Sequence, residues 1–367
     1  MVLTRGPSIS DYLPLNKAQR GSKVAWLVLH HDDFDGLLSS CFFNLRGIPA
    51  IDADPSKVFY HAIQHGRLLD LSKLAKAIQK VVPKAENVKV IMLDYAINPD
   101  SSKWLLDFDK VYPPMSLYMA IDHHVWPEQE QVLPTIAICN EQYLSCTKLV
   151  ADTFCVPYLD ENLDAVANTI KAAEVIDCGG SKFNEATLID VVTTIPGCLT
   201  FYNAFGKLNT DTARRIVCEY LTGALTRESK ATLKRFIDFT KRALNTRVTP
   251  AFGVTVNGKR CQHYLFSQTR LDTIQYFVSI LTWHHRYEDD YSFFYVEDGN
   301  KDMDGMTTYR VSMRTRNQKF PIADFCLKEF SGGGRETGAG GFKIKSADLA
   351  LTMAEVQAKL TRWLEKR

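Results

Sequence analysis

Histidine and aspartate gather in three short segments in the first third of the chain. They read HHDDFDG at His30–Gly36, LDY around Asp94, and IDHH at Ile121–His124. Each follows directly on an apolar, strand-like run. Carboxylates and imidazoles brought to one place repel one another and lose hydration, and a bound cation offsets both costs. Side chains alternate along an extended segment, so His31, Asp33 and Asp35 point the same way if the first strand continues through them. That alternation favours His31 over its neighbour His30 as the ligand. Gly36 then lets the backbone turn into a helix. Hard oxygen donors mixed with imidazole suit Mn²⁺ best, and Mg²⁺, Co²⁺, Fe²⁺ and Zn²⁺ are compatible. Two such ions about 3.5–4 Å apart make a nucleophile available near neutral pH and neutralise charge on a phosphoryl group, so no side-chain nucleophile is required. A single aspartate at a strand end is ordinarily a cap or turn residue. Repetition at successive strand ends is what points to a site. His61, His65, His284 and His285 lack such company and read as solvated or packed side chains.

The elements around these segments must position them. Strand-like runs at Val24–His30, Val58–Ile63, Val88–Leu93 and Leu117–Ile121 alternate with helical patterns at Leu37–Leu45, Leu68–Val82 and Asp100–Val111. Such alternation predicts a parallel α/β sheet with right-handed crossovers, whose ligands bind beyond the carboxyl ends of the strands. All three segments fall at such ends. The pattern then turns helical, with Leu144-Ser145-Cys146-Thr147 leading into Lys148–Phe154, followed by Asn162–Val175, Thr210–Thr222 and Ser229–Leu244. Val248-Thr249-Pro250 marks a boundary. Strands return at Gly253–Val256, Gln262–Ser267, Ser292–Val296 and Thr308–Met313, with helices at Leu271–Trp283, Pro321–Phe330 and Ser346–Lys366. The expected plan is a lead-in over residues 1–20, a catalytic α/β domain over 21–190, a helical connector over 191–247, and a smaller mixed α/β domain over 248–367.

At 367 residues and 46% apolar composition the chain can bury a full core. Its formal charge of +2 gives no global field for long nucleic acid. Residues 301–345 nevertheless hold nine Lys or Arg against five Asp or Glu, so cationic character sits away from the acidic segments. Nine cysteines without a CxxC pair read as reduced thiols of an intracellular protein. No apolar run approaches the ~20 residues of a membrane span. A cytoplasmic location is expected, with Arg5, Lys17 and Arg20 a weak organelle-targeting signal.

The ordered set HDDFDG (His31–Gly36), strand-end Asp94 and DHH (Asp122–His124) resembles motifs I to III of the DHH phosphoesterase superfamily. That superfamily includes RecJ-type exonucleases, nano-RNase/pAp phosphatases, cyclic-di-AMP phosphodiesterases and polyphosphatases. Asp177 in AAEVIDCGG fits its fourth motif. The resemblance covers most of the chain. It implies that His31, Asp33 and Asp94 hold one metal, and that Asp35, Asp94, His123 and Asp177 hold the other, with Asp94 bridging. Asp122 would orient the ligands and His124 would face the phosphate. The first motif is spaced more like RecJ-type members than like nano-RNases.

SGGGRETGAGG at Ser331–Gly341 lets an anion approach the backbone. It lacks the strand–helix setting of a dinucleotide fingerprint and the Gly-Lys-Ser/Thr of a P-loop. It resembles the GGGHxxAAG loop of the DHH-associated C-terminal domain, which with a nearby arginine receives the substrate's nucleotide or terminal phosphate. YRVSMRT (Tyr309–Thr315) resembles the strand carrying that arginine, which points to Arg314 with Arg310 as second choice. Gly333, Gly334, Arg335 and Gly340 would complete the substrate site. Arg335 stands where the family has histidine, and Gly338 where it has alanine. An arginine pairs with phosphate but cannot exchange protons at neutral pH.

The expected function is a Mn²⁺-dependent phosphoesterase acting on short single-stranded oligonucleotides or nucleotides such as pAp, with a homodimer left open and no membrane involved. Tyr264, Phe266, Tyr276, Phe277, Phe293, Phe294 and Tyr295 read mostly as core, with one or two available to stack on a base. The alternatives are a cyclic-dinucleotide phosphodiesterase, a polyphosphatase, which the glycine-rich loop disfavours, and a non-catalytic nucleic-acid-binding or scaffold protein.

Overall fold

The computed structural model describes residues 23–63, 69–97, 99–124, 134–154, 162–177, 210–244, 251–266, 289–301, 305–315, 320–335 and 339–366, together with 126, 191 and 194. Contacts divide the chain into two compact units, Met1–Asp177 with Leu208–Thr232, and Cys178–Lys207 with Leu233–Arg367.

Five parallel strands build the first unit: β1 (Val24–His31), β2 (Val58–Ile63), β3 (Asn87–Leu93), β4 (Met115–Asp122) and β5 (Ile136–Cys139). Their order is β2-β1-β3-β4-β5, and every pairing is parallel. The chain direction across the sheet reverses between β1 and β3, which makes the carboxyl ends of these two strands a natural ligand crevice. Helix α1 (Phe34–Phe42) follows β1, α2 (Leu71–Val81) follows β2, and α3 (Pro99–Leu105) follows β3. Helices α4 (Cys146–Thr153), α5 (Leu163–Asp177) and α6 (Thr210–Leu221) complete the unit.

Sequence chemistry explains these elements. Asp70 caps α2 by accepting from the Lys73 N–H, and Leu71, Ala75 and Ile78 fall on one buried face at helical spacing. That face packs with Ala25, Leu27 and Leu29 of β1, Val90 and Met92 of β3, and Trp104. Every residue of α1 is buried, and it contacts α4, α5 and α6. Each large apolar side chain buried there contributes roughly 1.5–3 kcal/mol.

Helix α7 (Arg227–Leu244), whose first residues up to Thr232 belong to the first unit, leads in the second unit to β6 (Phe252–Val256), β7 (Lys259–Phe266), β8 (Tyr291–Lys301) and β9 (Thr307–Thr315). Helix α8 (Ile322–Phe330), the hairpin strands β10 (Gly333–Arg335) and β11 (Ala339–Ser346), and α9 (Leu349–Glu365) close it. The sheet order is β10-β11-β9-β8-β7-β6, with only β7 and β8 parallel. Phe293, Tyr295, Val311, Met313, Phe342, Phe325, Val356 and Leu360 form its core.

The mixed α/β plan matches the expectation in class and in the order of the main elements. Several details differ. Helix α1 starts at Phe34 rather than Leu37, because Asp33 already caps it. Strand β5 goes beyond the expected set, since IAIC is short and adjoins no turn signal stronger than Asn140. The glycine-rich stretch forms the β10–β11 hairpin rather than an open loop. Helix α6, inside the expected connector, packs on α1 in the first unit. The expected helix over 271–283 and the aromatic residues Tyr276 and Phe277 lie outside the described residues, as do His65, His284 and His285. Tyr264, Phe293, Phe294 and Tyr295 are buried. No helix among the described residues is long and apolar enough to cross a membrane.

A candidate metal centre at the strand ends

The carboxyl end of β1 delivers His31, and the chain turns at once into α1. Asp33 is the N-cap, its Oδ1 accepting from the Gly36 N–H at 2.9 Å and its Oδ2 lying 2.7 Å from His31 Nδ1. Gly36 must be glycine for a steric reason, because a Cβ there would sit 2.3 Å from the His31 carbonyl oxygen. Asp35 therefore does not extend the strand. It reaches the site from the first turn of α1, buried at 2% exposure. Its two oxygens accept the N–H groups of Cys146 and Thr147, at 2.6 and 2.9 Å, so the start of α4 grips this carboxylate. Helix N-termini favour negative charge, and Asp35 sits at two of them.

Asp94 follows β3 with φ at 56°, and its N–H bonds to the Ile121 carbonyl at 3.0 Å. The left-handed backbone swings its carboxylate into the crevice. Both Asp94 oxygens are buried and neither accepts a hydrogen bond. At the end of β4, Asp122 is fully buried and committed to the protein. Its Oδ1 accepts from the His123 N–H at 2.8 Å and from His124 Nδ1 at 2.7 Å, and its Oδ2 from Trp126 Nε1 at 2.7 Å. His123 Nδ1 lies 3.2 Å from the Tyr143 carbonyl. A carbonyl only accepts, so Nδ1 carries the proton and Nε2 turns a lone pair to the crevice. That Nε2 is buried without a hydrogen bond, 3.5 Å from Asp94 Oδ1, 3.5 Å from Asp177 Oδ2 and 3.6 Å from Asp35 Oδ2. Asp177 is the last residue of α5, where the helix dipole disfavours an anion.

Donor atoms of His31, Asp33 and Asp94 lie within 4.8 Å of one another, as do those of Asp35, His123 and Asp177, and those of Asp94, Asp122, His123 and His124. The six sequence-selected ligands thus meet in one place. The orphaned oxygens of Asp94 and the orphaned Nε2 of His123 are what a cation of borderline hardness would satisfy, so these residues fit a divalent metal. Electrostatics agree. Burial, then Asp177, pushes the Asp35 carboxyl up to about 7. Burial, then Asp35, Asp33, Asp177 and Asp122, pushes Asp94 well above the carboxylate range. Burial works against ionised Asp122, but the hydrogen bonds from His124 and Trp126 hold it below its ordinary value. The same Asp122 bond raises His124. The His124 side chain is 44% exposed where that of His123 is 8%, so it is the imidazole open to a solute.

His30 stands apart. It is fully buried, its Nδ1 lies 2.8 Å from the His31 carbonyl, and burial lowers it to about 4. It joins none of the donor clusters. Trp126, the Tyr143 carbonyl and the start of α4 are site components that sequence reasoning did not select. Ser145 signals a helix start, but nothing local tells that its amides close on a carboxylate more than a hundred residues earlier.

In the second unit, Arg314 Nη1 donates to the Met313 carbonyl at 2.8 Å and the Gly340 carbonyl at 3.3 Å. Arg310 is exposed on the same strand. Gly340 packs against α8, where a Cβ would lie 2.4 Å from Ile322 Cγ2, so packing accounts for its lack of a side chain. Gly333 opens onto empty space. Gly334 and Arg335 lie in β10, and the Arg335 side chain is outside the described residues.

No protein-family model matches the sequence, and no curated protein is similar to it. Solved structures are. The DHH domain of a member of a family of ribosomal proteins aligns over 93% of this chain and 87% of its own, with a TM-score of 0.58 at 12% identity. An exopolyphosphatase-related protein from Bacteroides fragilis aligns over 94% and 92%, with a TM-score of 0.48 at 15% identity. RecJ from Thermus thermophilus, in complex with Mn²⁺, aligns over 95% of this chain and 53% of its own, with a TM-score of 0.46 at 14% identity. The first of these likenesses shows the fold, which is that of a DHH domain.

Proposed function

We propose that this chain, folded as a DHH domain with a second α/β unit, is a metal-dependent phosphoesterase. Its substrates would be short single-stranded oligonucleotides or nucleotides. The observation that carries the reading is the set of donor clusters around Asp94 and His123, whose buried oxygens and nitrogen have no hydrogen-bonding partner. Five aspartates and three histidines do not persist in one crevice for stability alone.

His31, Asp33 and Asp94 would hold one divalent ion, and Asp35, Asp94, His123 and Asp177 a second, with Mn²⁺ the best match to mixed carboxylate and imidazole donors. Bound there, the metals supply Lewis acidity toward a phosphoryl oxygen and a nucleophile at neutral pH. The protein's own groups do the rest. The α4 amides keep Asp35 aimed at the centre. Asp122 fixes the His124 ring and favours its protonated form, which suits it to donate from the exposed imidazole to a phosphoryl oxygen. Trp126 and the His123 amide hold the Asp122 carboxylate in place. In the second unit, Arg314, Arg310, Gly333, Gly334, Arg335 and Gly340 are the proposed substrate contacts.

Titration calorimetry of chelator-treated protein with Mn²⁺, followed by turnover of a panel of labelled substrates, tests this. The panel holds a dinucleotide, a five-mer and long RNA and DNA, pAp, cyclic di-AMP and polyphosphate. Two bound Mn²⁺ per chain and hydrolysis of the short linear nucleotides are expected. A protein that binds no divalent ion has a different function.

A further inference from the structure

Two cysteines far apart in sequence meet where α1 packs on α6 in the first unit. Cys41 of α1 is fully buried, and Cys218 of α6 is half-buried. Their thiols are within hydrogen-bonding reach of each other. Cys41 Sγ also lies 3.7 Å from the Arg214 carbonyl, one helical turn before Cys218. The surroundings of Cys218 suit a thiolate. Asn44 Nδ2 donates to its sulfur at 3.8 Å. The Tyr60 hydroxyl donates to Asn44 Oδ1 at 2.7 Å, which fixes the amide with its NH₂ toward the sulfur. The Arg214 guanidinium lies over the Tyr60 ring, 3.8 Å from its centre. Its Nη2 donates to Asp211 at 2.8 Å, whereas its Nη1 is buried without a hydrogen-bonding partner. A thiol ionises more readily beside a cation and N–H donors of this kind. The hydrogen bonds from Cys41 and Asn44, with the charge of Arg214, outweigh burial and Glu219 and hold the Cys218 thiol below its ordinary value. Burial, then Cys218, pushes Cys41 well up. Burial also raises Cys139, Cys146, Cys261 and Cys326. Among the described residues Cys218 is therefore the thiol most readily ionised, and it has a second thiol at its side.

We propose that Cys218 and Cys41 form an oxidation site at which a hydroperoxide, by way of a Cys218 sulfenic acid, closes a disulfide between α6 and α1. The Cys218 thiolate attacks one peroxide oxygen, the O–O bond breaks, and the departing hydroxide takes up a proton and leaves as water. Cys41 sulfur then attacks Cys218 sulfur, the S–O bond breaks, and the Cys41 proton leaves with that hydroxyl as a second water. In sum, two thiols give up two electrons and two protons, and one hydrogen peroxide becomes two waters. Thiol reductants reverse the bond by exchange. Neither cysteine belongs to a metal-donor cluster, so the site does not depend on the phosphoesterase reading. The bridge ties α6 to the helix whose first turn carries Asp35. Sequence spacing gives no hint of the pair, because Cys41 and Cys218 meet only through the packing of two helices.

The experiment treats the reduced, chelator-treated full chain at pH 7 with one equivalent of hydrogen peroxide, blocks remaining thiols, and maps tryptic peptides by mass spectrometry. Trypsin places Cys41 in residues 24–46 and Cys218 in residues 216–227, each the single cysteine of its peptide. The expected result is loss of two thiols per peroxide and a linked 24–46/216–227 pair that dithiothreitol separates. In Cys41→Ala, the sulfenic acid has no partner thiol, and dimedone should label residues 216–227. In Cys218→Ala, oxidation at Cys41 should slow by about tenfold or more, since the ionised thiol is gone. First oxidation at Cys139, the exposed thiol, would show that access rather than the Cys218 surroundings sets reactivity, and would overturn the proposal. So would two thiols lost with peptides 24–46 and 216–227 recovered unlinked. The wild-type map decides between these outcomes even where a variant fails to fold.

Discussion

Asp94 combines two costs in one residue, a left-handed backbone and a buried carboxylate whose oxygens accept no hydrogen bond. Burial and four neighbouring carboxylates already push its proton affinity up. Asparagine tolerates the same backbone and removes the charge. In Asp94→Asn, the chelator-treated protein should therefore melt at or above the wild-type Tm, the rise in Tm caused by Mn²⁺ should shrink, and turnover should fall on the order of a hundred- to thousandfold. A variant that melts lower without metal would show the carboxylate to be satisfied by the protein alone. Asp35 gives a pH-dependent counterpart. Its folded-state value of about 7 stands above the ordinary 3.8, so the folded protein holds the proton more tightly than the unfolded chain. That contribution to stability is complete below the unfolded value and is lost as pH rises through about 7. The Tm of metal-free protein should thus decline from about pH 4 to about pH 7 and level off above, and saturating Mn²⁺, which binds the ionised form, should remove the decline. Asp35→Asn should flatten the metal-free curve, and an unchanged slope in that variant would assign the titration to another group.

Elements decide where these residues meet, and Gly36 is the tightest joint among them. A methyl group there meets the His31 carbonyl and amide at 2.3 and 2.8 Å, both backbone atoms that cannot rotate away. Gly36→Ala must open the β1–α1 junction, at a cost of about 1–3 kcal/mol for overpacking. It displaces Asp33 and Asp35 together, so Mn²⁺ affinity should fall more than about tenfold while near-wild-type circular dichroism persists. Wild-type affinity would mean that the junction does not set the ligand geometry. The sequence announces this joint only in part. Strand–helix alternation reveals β1 to β4, because each strand is a compact apolar run, and places every His–Asp segment at a strand end. It does not reveal that α1 begins at Phe34, so the common direction inferred for His31, Asp33 and Asp35 holds for the first two in an extended backbone and fails for Asp35. Asp35 converges anyway because the helix turns it inward onto the α4 amides. Contacts of that kind, like Trp126 on Asp122, join residues through space and leave no periodic trace. The β10–β11 hairpin is hidden for another reason, since six glycines within Ser331–Gly341 read as loop whatever they pair with.

At the scale of the whole chain, the proposed chemistry is divided between the two units. All six proposed metal ligands fall within Met1–Asp177, whereas the cationic strands β9 and β11 fall within Leu233–Arg367. Each unit has its own sheet and its own apolar core. A ligand that binds only the folded form of one unit stabilises that unit by mass action, by about 2.7 kcal/mol at a hundred times its Kd. Calorimetry of the chelator-treated protein should then resolve two transitions. Mn²⁺ should raise one of them by several degrees and leave the other within about a degree, since a shift of that size in free energy moves a domain of this size by a few degrees per kcal/mol. A short single-stranded oligonucleotide in the absence of metal should do the reverse, raising the transition that Mn²⁺ leaves alone. Arg314→Ala should weaken the oligonucleotide shift and preserve the Mn²⁺ shift. A single transition that both ligands raise equally would mean that the units unfold as one cooperative body, and the division of labour between them would then have no thermodynamic counterpart.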